Sequence, residues 1–331
     1  MKLLSSNFTN EIKELLLSAK TQVYKNINSI MTKTYFEIGQ RIVKEEQKGK
    51  ERADYGKEIL KNLSFELTQE FGKGFSVANL KNMRQFYLVF QKRQTVSSEF
   101  ELSYSHYIFL SRIQNEDERS FYEIEAVKNG WSLRELKRQF DSALFERLVL
   151  SSNKEKVSKL SSQGAVVETP QDIVKEPYVL EFLGLEEKSY YSESELEQRL
   201  IDKIEHFLLE LGRGFTFVAR QKRFSFDEEH FRVDLVFYNR LLKCFVLIDL
   251  KIGKLKHQDL GQMMMYVNYF DRYEKTEDEN PTIGIVLCKN KNETLVELTL
   301  PKDSNIFASQ YQTVLPNKEE LQRIIDDENT I

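Results

Sequence analysis

From Phe8 to about Leu150 apolar residues recur at spacings of three and four, as in Ile12, Leu15 and Leu16 followed by Val23, Ile27 and Ile30, with polar or charged positions between them. That period is the one an α-helix imposes on a half-buried face, and it predicts an almost wholly helical first half. The pattern breaks at Gly72-Lys73-Gly74, at the polar stretch Gln94 to Ser98 and at Asn129-Gly130, where glycine or a polar cluster ends a helix. From Ser151 to about Gln171 large apolar residues become scarce and Ser, Lys, Glu and Gln take over, ending in Thr169-Pro170, which is the composition of a linker. Within it Ala165-Val166-Val167 is the one place where a short strand is expected.

Beyond the linker the pattern changes to short apolar runs separated by helical stretches. A helix is expected from about Ser194 to Leu211, strands near Thr216–Phe224, Arg232–Tyr238 and Cys244–Ile252, a helix over Gln258–Tyr273, and a strand at Thr282–Cys288. A last strand near Ile306–Gln310 and a helix from Lys318 to Asp326 close the chain. The expected class is α+β multidomain: a mostly helical domain over 1–150, a linker over 151–172, and an α/β domain over 173–331 with a central mixed sheet flanked by helices.

Composition narrows the function classes. Hydrophobic residues at 40% and charged residues at 30% of 331 describe a chain that folds in water. It has no apolar run of 18 residues, and the first ten lack the order of a secretory signal, so no membrane partner and a cytoplasmic address are expected. The only cysteines, Cys244 and Cys288, lie inside apolar runs and read as reduced core thiols, and the four histidines lack zinc-ligand spacing. The net charge of -4 hides an asymmetry: residues 1–100 carry 17 Lys and Arg against 11 Asp and Glu, a balance of +6, which leaves -10 for the rest. A modestly basic front end suits phosphate; a mixed solvated surface suits it equally.

The two runs Arg232–Phe237 and Phe245–Ile252 have the character of central strands, yet each holds an aspartate, Asp234 and Asp249. A buried charge is costly unless a counter-ion, a hydrogen-bond network or a function compensates. The connection Tyr238–Lys243 is short enough for an antiparallel hairpin, and a turn centred between Leu241 and Leu242 sets Asp234 opposite Asp249. Side chains alternate along a strand, so Lys251 shares a face with Asp249. Two facing carboxylates repel unless one is protonated or a cation joins them, and a hard divalent ion fits oxygen donors. Such an ion polarises a phosphodiester and activates water, with the lysine placed to stabilise developing charge. The competing explanation is an Asp249–Lys251 ion pair that only ties strands together, which leaves Asp234 without a task.

The order Asp234, then Asp249-Leu250-Lys251, then Gln262-Met263-Met264-Met265-Tyr266 on the next helix resembles the PD-(D/E)XK nuclease signature with its following QxxxY element. With Phe207 to Phe215, Val218 to Gln221, Asp234 to Tyr238 and Gly261 to Met263, the chain resembles the bacterial YhcG-like family of PDDEXK nuclease-domain proteins over nearly its whole length. Two departures stand out: Val233 replaces the proline that names the motif, and Asp249 stands where glutamate is more usual, which shortens the ligand arm by a methylene.

The resemblance implies a restriction-endonuclease-like C-terminal domain that hydrolyses DNA with Mg2+ or Mn2+. Its site would comprise Asp234, Asp249, Lys251, Glu197 and Gln262, with the ion held by Asp234, Asp249 and the main-chain carbonyl of Leu250. Glu197, next to the apolar stripe of the helix from Ser194, is either the extra acid this fold carries on its first helix or the end of a Ser194–Glu197 capping box. Tyr266 shares a helix face with Gln262 and either borders nucleic acid or packs on the sheet. Arg220 and Gln221, and more weakly Lys254 and Lys256, are candidates to hold phosphates.

The blocks Tyr35–Gly39, Ala53–Gly56 and Leu63–Ser76 resemble the same family's helical N-terminal region, as does Trp131–Leu136. A helix, a glycine turn and a helix capped by Ser76 outline a helix-turn-helix, which would point Lys81 and Arg84, with Asn79 and Asn82, at DNA. A helical oligomerisation or scaffold domain fits the same outline. The function expected is a metal-dependent deoxyribonuclease, with a catalytically silent DNA-binding or assembly protein on a nuclease fold as the alternative. RNA as a substrate and a homo-oligomeric state are left open.

Overall fold

The computed structural model describes residues 6–48, 53–91, 100–151, 154–185, 190–226, 229–301 and 303–328. The expected break at Gln94–Ser98 lies outside them. The chain divides into two compact units, Met1–Lys137 and Arg138–Ile331.

The first unit is helical: α1 (Ser6–Lys48), α2 (Ala53–Phe71), α3 (Val77–Phe90), α4 (Tyr104–Leu110) and α5 (Glu116–Asn129), with the division falling inside α6 (Leu133–Asp141). The glycine breaks act as the sequence suggests. Gly72, at φ 85°, ends α2, and the Ser76 hydroxyl accepts from the Asn79 N–H to start α3. Gly130 closes α5 at φ 61°, where a side chain would be strained. Ile42, Leu60, Leu80 and Met83 form the core between α1, α2 and α3, and Phe36, Phe86, Phe100 and Tyr107 extend it with ring contacts 5.1–5.3 Å between centroids. Gly39 lets α1 press on α3, since a Cβ there would stand 2.1 Å from the Met83 carbonyl oxygen.

The second unit opens with α7 (Leu144–Ser151) and α8 (Lys154–Gln163). Its sheet has the order β1-β6-β5-β4-β3-β2, with β1 (Tyr178–Val179), β6 (Ile306–Gln312), β5 (Ile283–Asn290) and β4 (Cys244–Lys254) parallel, and β3 (Glu229–Asn239) and β2 (Phe215–Phe226) antiparallel. One face carries α9 (Glu193–Asp202) and α10 (Ile204–Leu211), whose Leu196, Leu200, Phe207 and Leu211 pack on Leu235, Phe237, Ile248 and Leu250. The other carries α11 (His257–Tyr273), whose Leu260, Met263, Val267 and Phe270 pack with Val236, Leu247 and Val286. The strands β4 and β5 are thus apolar on both faces, which is why they read as continuous runs rather than alternating ones. The helices α12 (Glu293–Thr299) and α13 (Lys318–Glu328) complete the unit. Both cysteines are buried free thiols. Among the described residues no helix is long and apolar enough to cross a membrane.

Several expectations need correcting. The helix expected over Ser194–Leu211 is two, parted at Lys203, whose φ of -120° and ψ of 30° leave the helical region. The linker expected over 151–172 contains α8 and the start of a 3-10 turn at Pro170–Ile173, because Leu160 and Ile173 are buried and anchor it to the second unit. Ala165–Val167 is not a strand; Val167 packs against the core on the α9 side without a partner strand. The short β1 and the helix α12 had no distinct signal in the sequence.

Candidate active site

The hairpin turn fixes what β3 and β4 bring together. Asn239 Oδ1 accepts from the N–H groups of Leu241 and Leu242, at 3.0 and 3.2 Å, and closes the turn. The ladder then runs Asn239 with Cys244 through to Leu235 with Ile248, the register expected from the sequence. At the next position the strands part, and the Asp234 side chain takes over: its Oδ2 accepts from the Leu250 N–H at 2.9 Å. Asp234 and Asp249 take the positions that alternate with Leu235 and Ile248, and so share the α11 side with Val236 and Leu247.

A bulge in β2 completes the row. Phe217 pairs with Phe237 but Ala219 pairs with Val236, so one extra residue, Val218, shifts the register. Arg220 then faces Leu235 and Lys222 faces Val233, which leaves Gln221 opposite Asp234. Gln221 Nε2 donates to Asp234 Oδ1 at 3.1 Å and to Glu197 Oε2 at 2.5 Å. Its φ of +49° is in the left-handed region, a conformation that costs a non-glycine residue roughly 1–3 kcal/mol and persists where surrounding contacts impose it. Without the bulge Arg220 would have faced Asp234.

Glu197 is 4% exposed and points inward from α9. The capping box at that helix start belongs to Ser192 and Glu195, two residues earlier than the Ser194–Glu197 alternative, so Glu197 is not used in capping. Its carboxylate takes the Arg220 Nε at 2.5 Å as well as Gln221, and Arg220 also reaches Gln198 Oε1 at 2.7 Å. Arg220 and Gln221, expected to hold phosphates, are therefore engaged with the site's own acids.

Lys251 Nζ stands 2.7 Å from Asp249 Oδ2 and 4.0 Å from Glu193 Oε2, a neighbour the sequence had not indicated. Asp249 is 3% exposed, and its Oδ2 is buried with no partner aligned for a hydrogen bond, despite the close ammonium. Burial is the main force lifting both aspartates above the ordinary carboxylate range. The Asp249 charge adds to the lift on Asp234, opposed by the Leu250 N–H and by Lys251; for Asp249, Lys251 is the chief opposing charge. Burial works against the Lys251 ammonium, but the Asp249 carboxylate, with Glu193 and Asp234 behind it, outweighs that and the lysine is held more firmly protonated than usual.

Gln262 is half-buried on α11, where it and the Arg232 backbone hydrogen-bond with the Tyr266 side chain. Tyr266 itself is 1% exposed, set edge-on to Phe224 at 5.6 Å, with no surface open to a ligand in this conformation. Leu250 contributes main-chain atoms from the centre of β4. Lys254 and Lys256 are exposed beyond its end. In the first unit, Lys81 is exposed on α3, Arg84 is paired with Glu46 at 2.6 Å, and Asn79 Nδ2 donates to the Gly74 carbonyl oxygen at 3.0 Å.

The donor set can be tested for a cation. Among the described residues no group of three or more His, Cys, Asp and Glu side chains is placed to hold a metal ion. What the site offers is two carboxylates side by side and, on Asp249, a buried carboxylate oxygen without an aligned donor. Hard oxygen donors in that small number suit Mg2+, which keeps several waters and takes one or two carboxylates, better than a zinc ion.

Residues 171–326 match the family model described as YhcG PDDEXK nuclease domain, and residues 11–147 match the DUF1016 N-terminal domain. YhcG of Escherichia coli (strain K12) is 41% identical over 341 residues, which covers 93% of this chain and 90% of the relative. Among solved structures, a repair endonuclease from Pyrococcus abyssi is 19% identical over 38% of this chain and 50% of its own, at a TM-score of 0.27. The EndoMS-dsDNA2 complex is 15% identical over 40% of this chain and 50% of its own, also at 0.27. The match spans about half the length of these solved chains.

Proposed function

Because the chain belongs to the YhcG family, with its PDDEXK nuclease domain at 171–326 and its DUF1016 N-terminal domain at 11–147, we propose that it is a metal-dependent nuclease that hydrolyses phosphodiester bonds in DNA. The observation that carries this reading is the row Gln221, Asp234, Asp249 with Lys251 on its end, inside an apolar sheet. An ion pair within β4 would need Asp249 and Lys251 alone; it gives no reason to set half-buried Asp234 and buried Glu197 beside them.

Asp234, Asp249 and the Leu250 carbonyl are the residues that would hold Mg2+ or Mn2+. When bound, the ion supplies neutralisation of the two carboxylates, polarisation of the phosphodiester and a more acidic water. Lys251, kept protonated by Asp249, stabilises the extra negative charge that develops on the phosphoryl oxygens as a nucleophile adds. Asp249 keeps the ammonium in place at 2.7 Å. Glu197 is a positioning residue: through Gln221 it sets the orientation of Asp234, and through Arg220 it steadies β2 at the bulge. Gln262 borders the site from α11. In the helical unit, exposed Lys81 is the best placed of the sequence candidates to meet a phosphate backbone, while Arg84 would first have to leave Glu46.

The test is cleavage of linear, circular and single-stranded DNA by the purified chain with Mg2+ or Mn2+, beside Asp234→Ala and Lys251→Ala. Cutting by the wild type that is lost in both variants is expected. Cutting that persists in both removes the assignment; DNA binding without cutting returns the chain to the class of silent binding proteins.

A further inference from the structure

The first half of α1 makes a surface that the nuclease reading does not use. Apart from half-exposed Ser29, every side chain described between Thr9 and Met31 is exposed, although the segment is rich in large apolar residues. Their exposure runs from 37% at Met31 to 69% at Leu15. Tertiary burial on α1 begins only at Thr32 and continues through Phe36, Ile42 and Val43. A polar helix can stand in water; this one instead presents Ile12, Leu15, Leu16, Ala19, Val23, Ile27 and Ile30 in a single stripe about 120° wide. Helices in proteins draw most of their stability from packing such a face, so the stripe calls for a partner.

We propose that the partner is the same stripe of a second copy of this chain, packed antiparallel. Three observations favour that occupant. First, six of the stripe's positions are symmetric about a point between Lys20 and Gln22: Ile12 is matched with Ile30, Leu15 with Ile27 and Ala19 with Val23, while Leu16 on the same face is matched with Asn26. That is the self-complementarity a two-fold interface demands, where a residue that meets another is met by it in turn. Second, charges agree. Glu11 and Lys33 border the stripe on the same side of α1. Antiparallel packing sets Glu11 of each helix beside Lys33 of the other; parallel packing sets like beside like. Third, the apolar side chains on the stripe offer on the order of 600 Å² per chain, one partner's share of an interface at the smaller end of the specific range.

The inference stands apart from the nuclease reading and is tested without it. Sedimentation equilibrium of the full chain is expected to give a dimer at micromolar concentration. Leu15→Glu with Ile27→Glu, both at surface positions that the fold of the unit does not need, is expected to weaken association about a hundredfold or more and leave the unit's core melting unchanged. Ala19→Cys with Val23→Cys is expected to form disulfide-linked dimers under mild oxidation, while neither single variant does. A monomeric wild type overturns the proposal. So does a dimer indifferent to the two glutamates, and cross-linking by Val23→Cys alone would make the pairing parallel and overturn the register.

Discussion

Asp234 sits among opposed forces, and their balance can be measured. Burial first, and then the Asp249 charge, raise its pKa, while the Leu250 N–H and Lys251 pull it down without cancelling the rise. A carboxyl that holds its proton more tightly folded than unfolded loses stability as pH rises from the ordinary carboxylate range through its folded value; below that range the loss is absent. Asp234→Asn is therefore expected to melt higher than wild type at pH 8 in chelator, by a few degrees for each kcal/mol recovered, with the difference shrinking toward pH 4. The same variant should lose cleavage by roughly a thousandfold or more, and Mg2+ should raise the melting temperature of the wild type alone. A variant that melts lower at pH 8 would contradict the account of burial. At this scale the three central residues were legible because an aspartate inside an apolar strand is conspicuous. The bridging role of Gln221 was not, since it depends on one extra residue in β2 that no spacing rule reveals.

Between elements, one carboxylate fastens α10 to its surroundings. Glu210, with no exposure, accepts from the Arg147 Nη1 of α7 at 2.6 Å and from the Val179 N–H of β1 at 3.0 Å, and Lys175 donates to its main-chain oxygen. Burial would raise its pKa, but the charges of Arg147, Lys175 and Arg138 outweigh it and hold the carboxyl at about 2. Its contribution is present above the ordinary value of 4.5 and lost as pH falls from there toward 2. Glu210→Gln leaves a buried guanidinium without its counter-charge, and a loss of about 3–5 kcal/mol is expected in urea unfolding. In the helical unit the contest is at Gly39. Alanine gains about 1 kcal/mol of helix propensity, yet its Cβ would meet the Met83 carbonyl oxygen at 2.1 Å, and a backbone atom gives way only if α1 and α3 separate. Gly39→Ala is expected to cost a net 1–3 kcal/mol, read as a lower melting temperature of the full chain; a rise would show that the helices are loosely packed.

For the whole molecule, the apolar cores of both units are built from packed side chains away from the carboxylate pair. Chelation is expected to abolish cleavage while far-ultraviolet circular dichroism stays unchanged, with melting lowered only by the ion's binding term of about 1–3 kcal/mol. Unfolding on chelation would mean that the carboxylate pair is a structural site. The charge asymmetry also acts at this scale: the front end is basic by +6 within a chain of net charge -4, so attraction to a phosphate backbone has to come from local placement, not overall charge.

The sequence by itself determined the periodicities, and with them the helical first half, the order of the central strands and helices, and the β3–β4 register that faces Asp234 toward Asp249. These follow from local rules: side-chain alternation, turn chemistry and the span of a hairpin. Tertiary structure alone decided where the helix after Ser192 breaks, that Leu160 and Ile173 bind the expected linker into the second unit, that Tyr266 is enclosed and that Arg84 is spent on Glu46. It also decided the bulge that turns Gln221 toward the acids. Each of those depends on residues far apart in the chain competing for the same space or charge, and a one-dimensional pattern does not record which of them meet.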